Sequence, residues 1–250
     1  MRLKGKKAIV TGSSRGVGAS VALAYGREGA DVVVNYSSSE GPAMEIVKQI
    51  KNMGQKAVAV KADVAKAEDC QLLVDAAVSE FGGLDIVVNN AGFTRPAMLH
   101  KMDEGQWNAV LDIHLKAVWL MTKAAHPQLS QSKAGRVINV TSVAGVVGTV
   151  GQVNYSAAKG GVISLTKSIA REMSRFNTCA NVVSLGIVAT DMTEKIRTDE
   201  KLKEIYMNRI LLKRFAEADD VTPLFVFLAS DDAAYITGQL ICLDGGYGMI

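Results

Sequence analysis

Short apolar runs rich in valine and isoleucine recur along the chain at residues 7–10, 31–35, 57–61, 84–89, 136–140, 181–184 and 240–243. Each is separated from the next by a stretch long enough for a helix, and several of these stretches place apolar residues at i, i+3, i+4 spacing. Strands that are apolar almost throughout need cover on both faces, the condition of a parallel sheet with helices on either side. The pattern predicts one α/β domain: a doubly wound, parallel, seven-stranded sheet with helices on both faces. Ligands in such sheets bind beyond the carboxyl ends of the strands, so the residues just after each run are the informative ones.

Bulk properties narrow the field. The chain of 250 residues fits a single domain, 1–250, able to bury roughly 70–75% of the surface its unfolded form exposes. The net charge is +3, and the densest basic group, Arg2, Lys4, Lys6 and Lys7, precedes the first strand. That reads as a solvated terminus and gives no nucleic-acid surface. Cys70, Cys179 and Cys242 are odd in number and far apart, and read as buried thiols in a reducing compartment, with no metal-ligand spacing. No apolar segment approaches about 18 residues, and the first apolar run is too short for a signal peptide. A soluble cytoplasmic protein with no membrane or metal partner is expected.

The first run ends in Thr11-Gly12-Ser13-Ser14-Arg15-Gly16-Val17-Gly18. This glycine-rich turn opens a helix, where backbone N–H groups and the helix dipole can hold a pyrophosphate. The second run ends in Asn35, Tyr36, Ser37 and Ser38, where an acidic residue would accept from a free adenosine 2′-hydroxyl. Its absence, with Arg15 available to pair with a 2′-phosphate, favours NADP(H) over NAD(H). Asp63 and Val64, after the third run, can flank the adenine; capping the next helix is the ordinary alternative for Asp63. Asn89-Asn90-Ala91-Gly92, after the fourth, either reverses the chain or lines the cofactor groove.

Tyr155 and Lys159 carry the candidate chemistry. On a helix their spacing puts phenol and ammonium on one face, about 5–6 Å apart at Cβ. The cation is expected to lower the phenol pKa toward working pH, so that Tyr155 can exchange a proton with a substrate oxygen that Ser142 also hydrogen-bonds. The same pair occurs by chance on amphipathic helices, where tyrosine sits at the core edge and lysine reaches to water.

Taken together, the Thr11–Gly18 turn, Asn89-Asn-Ala-Gly92, Ser142 and Tyr155-x-x-x-Lys159 resemble the short-chain dehydrogenase/reductase family, in order and across essentially the whole chain. Within it, Asn154-Tyr-Ser-Ala-Ala-Lys159, Ala189-Thr-Asp-Met192 and the segment 236–246 are most similar to 3-oxoacyl-[acyl-carrier-protein] reductases and related carbonyl reductases. The resemblance implies a Rossmann fold and an NADP(H)-dependent oxidoreductase acting on a ketone or secondary alcohol. It implies Tyr155 as general acid or base, Ser142 as the group orienting the substrate oxygen, and Lys159 as the group holding the nicotinamide ribose. It further assigns Ile187, Val188 and Thr190, with Gly186 before them, to the nicotinamide carboxamide and phosphates, and Asn90, Ala91 and Gly92 to the adenosine ribose. A homotetramer is implied as well.

Two positions depart from that pattern. His114 stands where the family usually has an asparagine completing a water-linked proton relay; a histidine can donate or accept, and can also become charged near neutral pH. Leu185 replaces a usual proline, which frees a backbone φ and points to a more mobile nicotinamide loop. The charged segment 192–216 reads as a mobile lid or as a solvated helical pair. Lys133, Arg171 and Arg175 are candidates to receive acyl carrier protein near the cleft mouth, although Phe176 and Asn177 replace a usual basic residue and glycine. A small sugar, alicyclic or xenobiotic alcohol is an alternative substrate, and a non-catalytic dinucleotide sensor or scaffold an alternative of another class.

Overall fold

The computed structural model describes residues 1–249. Its strands are β1 (Lys7–Val10), β2 (Asp31–Tyr36), β3 (Ala57–Lys61), β4 (Ile86–Asn89), β5 (Arg136–Ser142), β6 (Cys179–Leu185) and β7 (Leu240–Leu243), all parallel in the order β3-β2-β1-β4-β5-β6-β7. The helices are α1 (Gly16–Arg27), α2 (Glu40–Asn52), α3 (Ala67–Phe81), α4 (Glu104–Leu111), α5 (Ala117–Gln131), α6 (Ala144–Val147), α7 (Val153–Met173), α8 (Glu194–Thr198), α9 (Glu200–Arg209) and α10 (Ala218–Ala229). The seven expected runs are all strands. The fourth starts two residues later than expected, and β2, β5 and β6 run longer.

Alternation along each strand divides the core into two layers. Ala8, Val10, Val32, Val34, Ile86, Val88 and Ile138 pack against α1, α2 and α10, where Tyr25 and Phe225 are fully buried. Ile9, Val33, Val87 and Val137 face the other way, against Leu73 and Val74 of α3 and Leu120 and Met121 of α5. Burial on both faces explains why the runs are apolar without a break. The strand order reverses between β1 and β4, so the chain leaves their adjacent carboxyl ends toward opposite faces of the sheet, the switch point where such sheets bind ligands.

Buried polar groups tie the layers together. Arg136, 2% exposed at the start of β5, donates to the Ser230 and Gly135 carbonyls. Asn89 Nδ2 donates to Asn139 Oδ1 at 2.8 Å, and Asn139 Nδ2 to Thr166 Oγ1 at 2.9 Å, linking β4, β5 and α7. Cys70 and Cys179 are buried as expected, but Cys242 is exposed on the edge strand β7, where no further strand covers it.

Candidate active site

The glycine turn is locked at the switch point. Gly12 and Gly16 have φ of +62° and +57°, and a Cβ on Gly12 would stand 2.8 Å from the Ala91 Cα. A Cβ on Gly18 would collide with the Gly12 carbonyl and the Asn90 amide, so β1 and α1 approach this closely only with glycine there. Asn90 Nδ2 donates to the Thr11 carbonyl at 2.9 Å, and Thr11 Oγ1 accepts from the backbone N–H groups of Asn90 and Ala91. Thus the Asn90-Ala91-Gly92 turn is zipped onto the glycine turn at the α1 N-terminus, where backbone N–H groups can receive phosphate oxygens. The residues present fit a dinucleotide.

Some expected cofactor residues hold the cradle itself. Asn35 is buried; its Oδ1 accepts from the Gly12 N–H at 2.9 Å and its Nδ2 donates to the Ala62 carbonyl at 3.0 Å, so its side chain is committed to backbone and does not face a ribose. Asp63 Oδ1 accepts from the Ala65 N–H at 3.1 Å, the turn-capping role, and the Val64 side chain lies in the core. Arg15, Ser14 and Ser37 stay accessible around the groove. Thr11 and Ser13 were not assigned a role by the sequence, yet they form the lock: Ser13 Oγ donates to the Val10 carbonyl and accepts from the Asn35 N–H. A threonine and a serine flanking the first glycine were the available signal.

Beyond β5 and at the start of α7 the catalytic candidates converge. Ser142 closes β5, and its Oγ accepts from the Ala144 N–H at 3.2 Å. Lys159 is 4% exposed; its ammonium donates to the Val140 carbonyl at 2.7 Å and stands 5.7 Å from the centre of the Tyr155 ring. Thr141 Oγ1 donates to the Lys159 carbonyl, fixing α7 to β5. Asn154, fully buried, donates to the Arg95 and Gln106 carbonyls and so seats the first turn of α7 against α4.

The electrostatics differ from the expectation. Burial pushes the Tyr155 phenol above its ordinary pKa, with the Ser142 hydroxyl pulling it back down. Burial also lowers the Lys159 ammonium to about 7. The ammonium is itself desolvated, so it does not bring the phenol down as spacing alone suggested. Tyr155 is held as a proton donor near neutrality.

His114 lies 3% exposed on a single π-helical turn, Asp112–Lys116, between α4 and α5. Its Nε2 is 2.6 Å from the Phe93 carbonyl oxygen, and its ring meets the Tyr155 ring edge-on at 4.9 Å. Burial, then the nearby Lys159, lowers its pKa to about 3, opposed by the bond to Phe93. The expected charge near neutral pH is therefore absent. Leu185 is buried at the end of β6, and its carbonyl accepts from the Val143 N–H at 3.0 Å. Packing and the ladder hold the backbone where proline would have, so the strand takes up the freedom expected there.

The segment after β6 hangs as a flap. The Val188 to Ala216 bridge closes its two ends, with Ala189 N–H to the Ala216 carbonyl at 2.8 Å and Ala216 N–H to the Ile187 carbonyl at 2.9 Å. Between them α8 and α9 bury no side chain, while Ile210, 2% exposed, packs on Val143 and Tyr247. Thr190 stands beside Gly16. One expectation is corrected: Arg171 lies about 24 Å along α7 from Tyr155 at 1.5 Å per residue. Arg175 follows it, and Lys133 precedes the amino end of β5. Within one chain these cations are at the opposite end of the sheet from the cleft.

A doubly wound sheet, a glycine cradle at its switch point and a serine, tyrosine and lysine beside that cradle define a dinucleotide-dependent oxidoreductase. Residues 12–248 match the family model described as Enoyl-(Acyl carrier protein) reductase. The chain is 44% identical to 3-oxoacyl-[acyl-carrier-protein] reductase FabG of Staphylococcus aureus (strain Mu50) over 244 residues, covering 98% of each. It is 43% identical to 3-oxoacyl-[acyl-carrier-protein] reductase of Synechocystis sp. (strain PCC 6803), covering 99% of this chain and 98% of that one. A solved short-chain type dehydrogenase/reductase from Mycobacterium marinum superposes with TM-score 0.92 at 31% identity, covering 98% of this chain and 96% of that one. The chain belongs to the short-chain dehydrogenase/reductase family.

Proposed function

We propose that the protein is an NADP(H)-dependent reductase of ketones of the 3-oxoacyl type. The observation that carries this reading is the convergence of Ser142, Tyr155 and Lys159 at the carboxyl end of β5, next to the glycine cradle. Nicotinamide chemistry supplies a hydride to the carbonyl carbon when the cofactor is bound. Tyr155 donates its phenolic proton to the carbonyl oxygen, Ser142 hydrogen-bonds that oxygen, and the product is a secondary alcohol; solvent then returns a proton to Tyr155. Lys159 holds the ribose and keeps α7 in register with β5. Arg15 and Ser37, both exposed beside the glycine turn and β2, receive the 2′-phosphate.

The cleft rim supports an apolar substrate. Phe93, Met98, Val146 and Met192 are exposed hydrophobics on segments adjoining Ser142, Tyr155 and the flap. Delivery on acyl carrier protein is supported by the names of the relatives, while the far placement of Lys133, Arg171 and Arg175 removes the one-chain docking surface. A thioester or small 3-oxo ester free in solution is the substrate to try first. Oxidation of NADPH and of NADH should be followed with a 3-oxoacyl thioester and with simple, sugar-derived and alicyclic ketones. Tyr155→Phe is expected to lower kcat about 10²–10⁴-fold with cofactor affinity intact. Turnover retained in that variant, or silence on every ketone with cofactor bound, overturns the reading.

A further inference from the structure

The turn after β7 folds back between the flap and the loop that follows Ser142. Asp244 accepts from the Gly246 and Gly248 N–H groups, both at 2.9 Å, and Gly245 and Gly246 take φ of +64° and +84°, so a carboxylate and two glycines fix the turn that presents Tyr247. Tyr247 is 8% exposed and packs on Val143 and Ile210. Its ring stacks on Tyr206 of α9, with centroids 6.1 Å apart and planes 25° apart. The Arg209 guanidinium lies 5.3 Å from the centre of the same ring, and its Nη1 donates to the Tyr247 hydroxyl at 2.9 Å. Among the described residues Arg209 pairs with no carboxylate, so its charge is directed at the phenol alone.

These contacts border the site. Val143 follows Ser142, and a Cβ on Gly248 would stand 3.3 Å from Val143 Cγ2. Ile187, before the flap's bridge, packs on the same apolar cluster. Tyr206 and Arg209 stand three residues apart at the carboxyl end of α9 and share a helix face. A helix of 10 residues is marginal by itself, and α9 buries no side chain, so its place depends on this face. Across the cleft, residues 93–97 form a wall tied instead to the loop before α7, the Ala97 N–H donating to the Gly151 carbonyl at 2.9 Å.

We infer that Tyr247 is a positioning residue: held by Tyr206 and Arg209, it latches the carboxyl end of α9 to the Ser142–Val143 corner, so that closing the flap and setting the Ser142 hydroxyl depend on one ring. The kinetic part rests on the reductase reading; the latch does not. The latch also defines which part of the flap moves. Residues from Tyr206 to Ala216 stay with the body through Tyr247, Ile210 and the Ala216 bridge, and 191–205 swing about the last turn of α9, carrying Met192 with them.

Two conservative replacements isolate the contact. Tyr247→Phe removes the hydroxyl and keeps the ring, and Arg209→Met removes the charge and keeps an apolar stem. Hydrogen exchange of the 200–209 amides, read by mass spectrometry on the free chain, should quicken about 5- to 20-fold in either variant, as expected for one charged hydrogen bond at a partly exposed site. The double variant should exchange no faster than Arg209→Met alone. Effects that multiply, or exchange that neither replacement changes, overturn the latch. With a 3-oxoacyl thioester, both single variants should raise KM about 3- to 10-fold with a smaller change in kcat. Tyr247→Ala, which also empties the space against Val143, should lower kcat about tenfold as well, since slight misplacement of a reacting group is costly. Coupled exchange with KM unchanged in both single variants overturns the positioning role. Coupled exchange with no ketone turned over by the wild type defeats the reductase reading and leaves the latch standing.

Discussion

The cradle around Gly12–Gly18 and the flap between Val188 and Ala216 flank the same groove and are built on opposite principles. In the cradle the buried polar side chains are bound to backbone: Thr11 to the 90–91 turn, Ser13 to Val10 and Asn35, and Asn35 to Gly12 and Ala62. In the flap, α8 and α9 bury no side chain, and its ties to the body gather toward its ends: the two-bond bridge, Ile210, Arg209 Nη1 donating to the Tyr247 hydroxyl at 2.9 Å, and the Leu212 N–H donating to the Gly245 carbonyl at 3.2 Å. The first geometry is preorganised, so binding a dinucleotide requires little ordering there. The second has few contacts to break and belongs to the low-stability end of the molecule, where lids are found. An invariant ligand is matched by the rigid side, and a substrate that must enter and leave by the loose one.

Placing a methyl group in the cradle should have the largest effect. Gly18→Ala pushes a Cβ into the Gly12 carbonyl and the Asn90 amide, both immobile. Overpacking of this kind costs about 1–3 kcal/mol or more. We expect cofactor affinity to fall at least about tenfold, with the melting temperature reduced, as read by NADPH fluorescence titration and calorimetry. An unchanged affinity would mean that the cradle is softer than its hydrogen bonds imply.

Loosening the flap should come next. Ile210 is its buried anchor, touching Val143 and Tyr247, so Ile210→Ala removes apolar contact at the edge of the body, where the site can partly collapse. The expected loss is about 2 kcal/mol, the low end for such truncations. Limited proteolysis should then cut within 192–209 faster, while NADPH affinity changes little. If cofactor binding fell as much as for Gly18→Ala, the two regions would not be independent.

What the sequence made legible follows the same division. The sheet, the glycine turn and the Ser142, Tyr155, Lys159 set were readable because each rests on a local pattern: apolar runs, glycine spacing, one helix face. Asn35 was misassigned because spacing gives a strand end but not which way a short amide turns, and the nearest unpaired groups were the Gly12 N–H and the Ala62 carbonyl. Burial is equally silent in a spacing argument, which is why the phenol was expected to be lowered and His114 to titrate near neutrality. Arg171 was expected near the cleft mouth, yet it lies on the helix of Tyr155, and a helix of 21 residues has two distant ends. The chemistry of residues was legible; their surroundings were not.

The burial of Lys159 ties the rigid side to pH. Its pKa falls from 10.5 in the unfolded chain to about 7 in the folded one. Between those values the unfolded chain binds a proton that the folded chain does not, so this group adds stability as pH rises from about 7 toward 10.5. Below about 7 the penalty for burying the ammonium is present in full. Lys159→Met should remove that slope, so the stability of wild type relative to the variant should grow across the window in denaturant titrations at fixed pH. A difference independent of pH would mean that Lys159 is solvated when folded.

The smallest effect tests the loose side most strictly. Lys203 and Glu200 form an exposed i,i+3 pair at 3.5 Å on α9, with side-chain exposures of 41% and 84%. Pairs of this kind are held in high dielectric, and ordering two long side chains offsets most of their attraction. Lys203→Ala should therefore alter unfolding free energy by no more than about 0.5 kcal/mol and leave NADPH affinity unchanged. If the flap closes over substrate, the same replacement changes KM by altering a surface present in the closed state alone. A shift in KM without a shift in stability locates the substrate's entry under α9; no shift in either moves it to the 93–97 wall, the other side of the cleft.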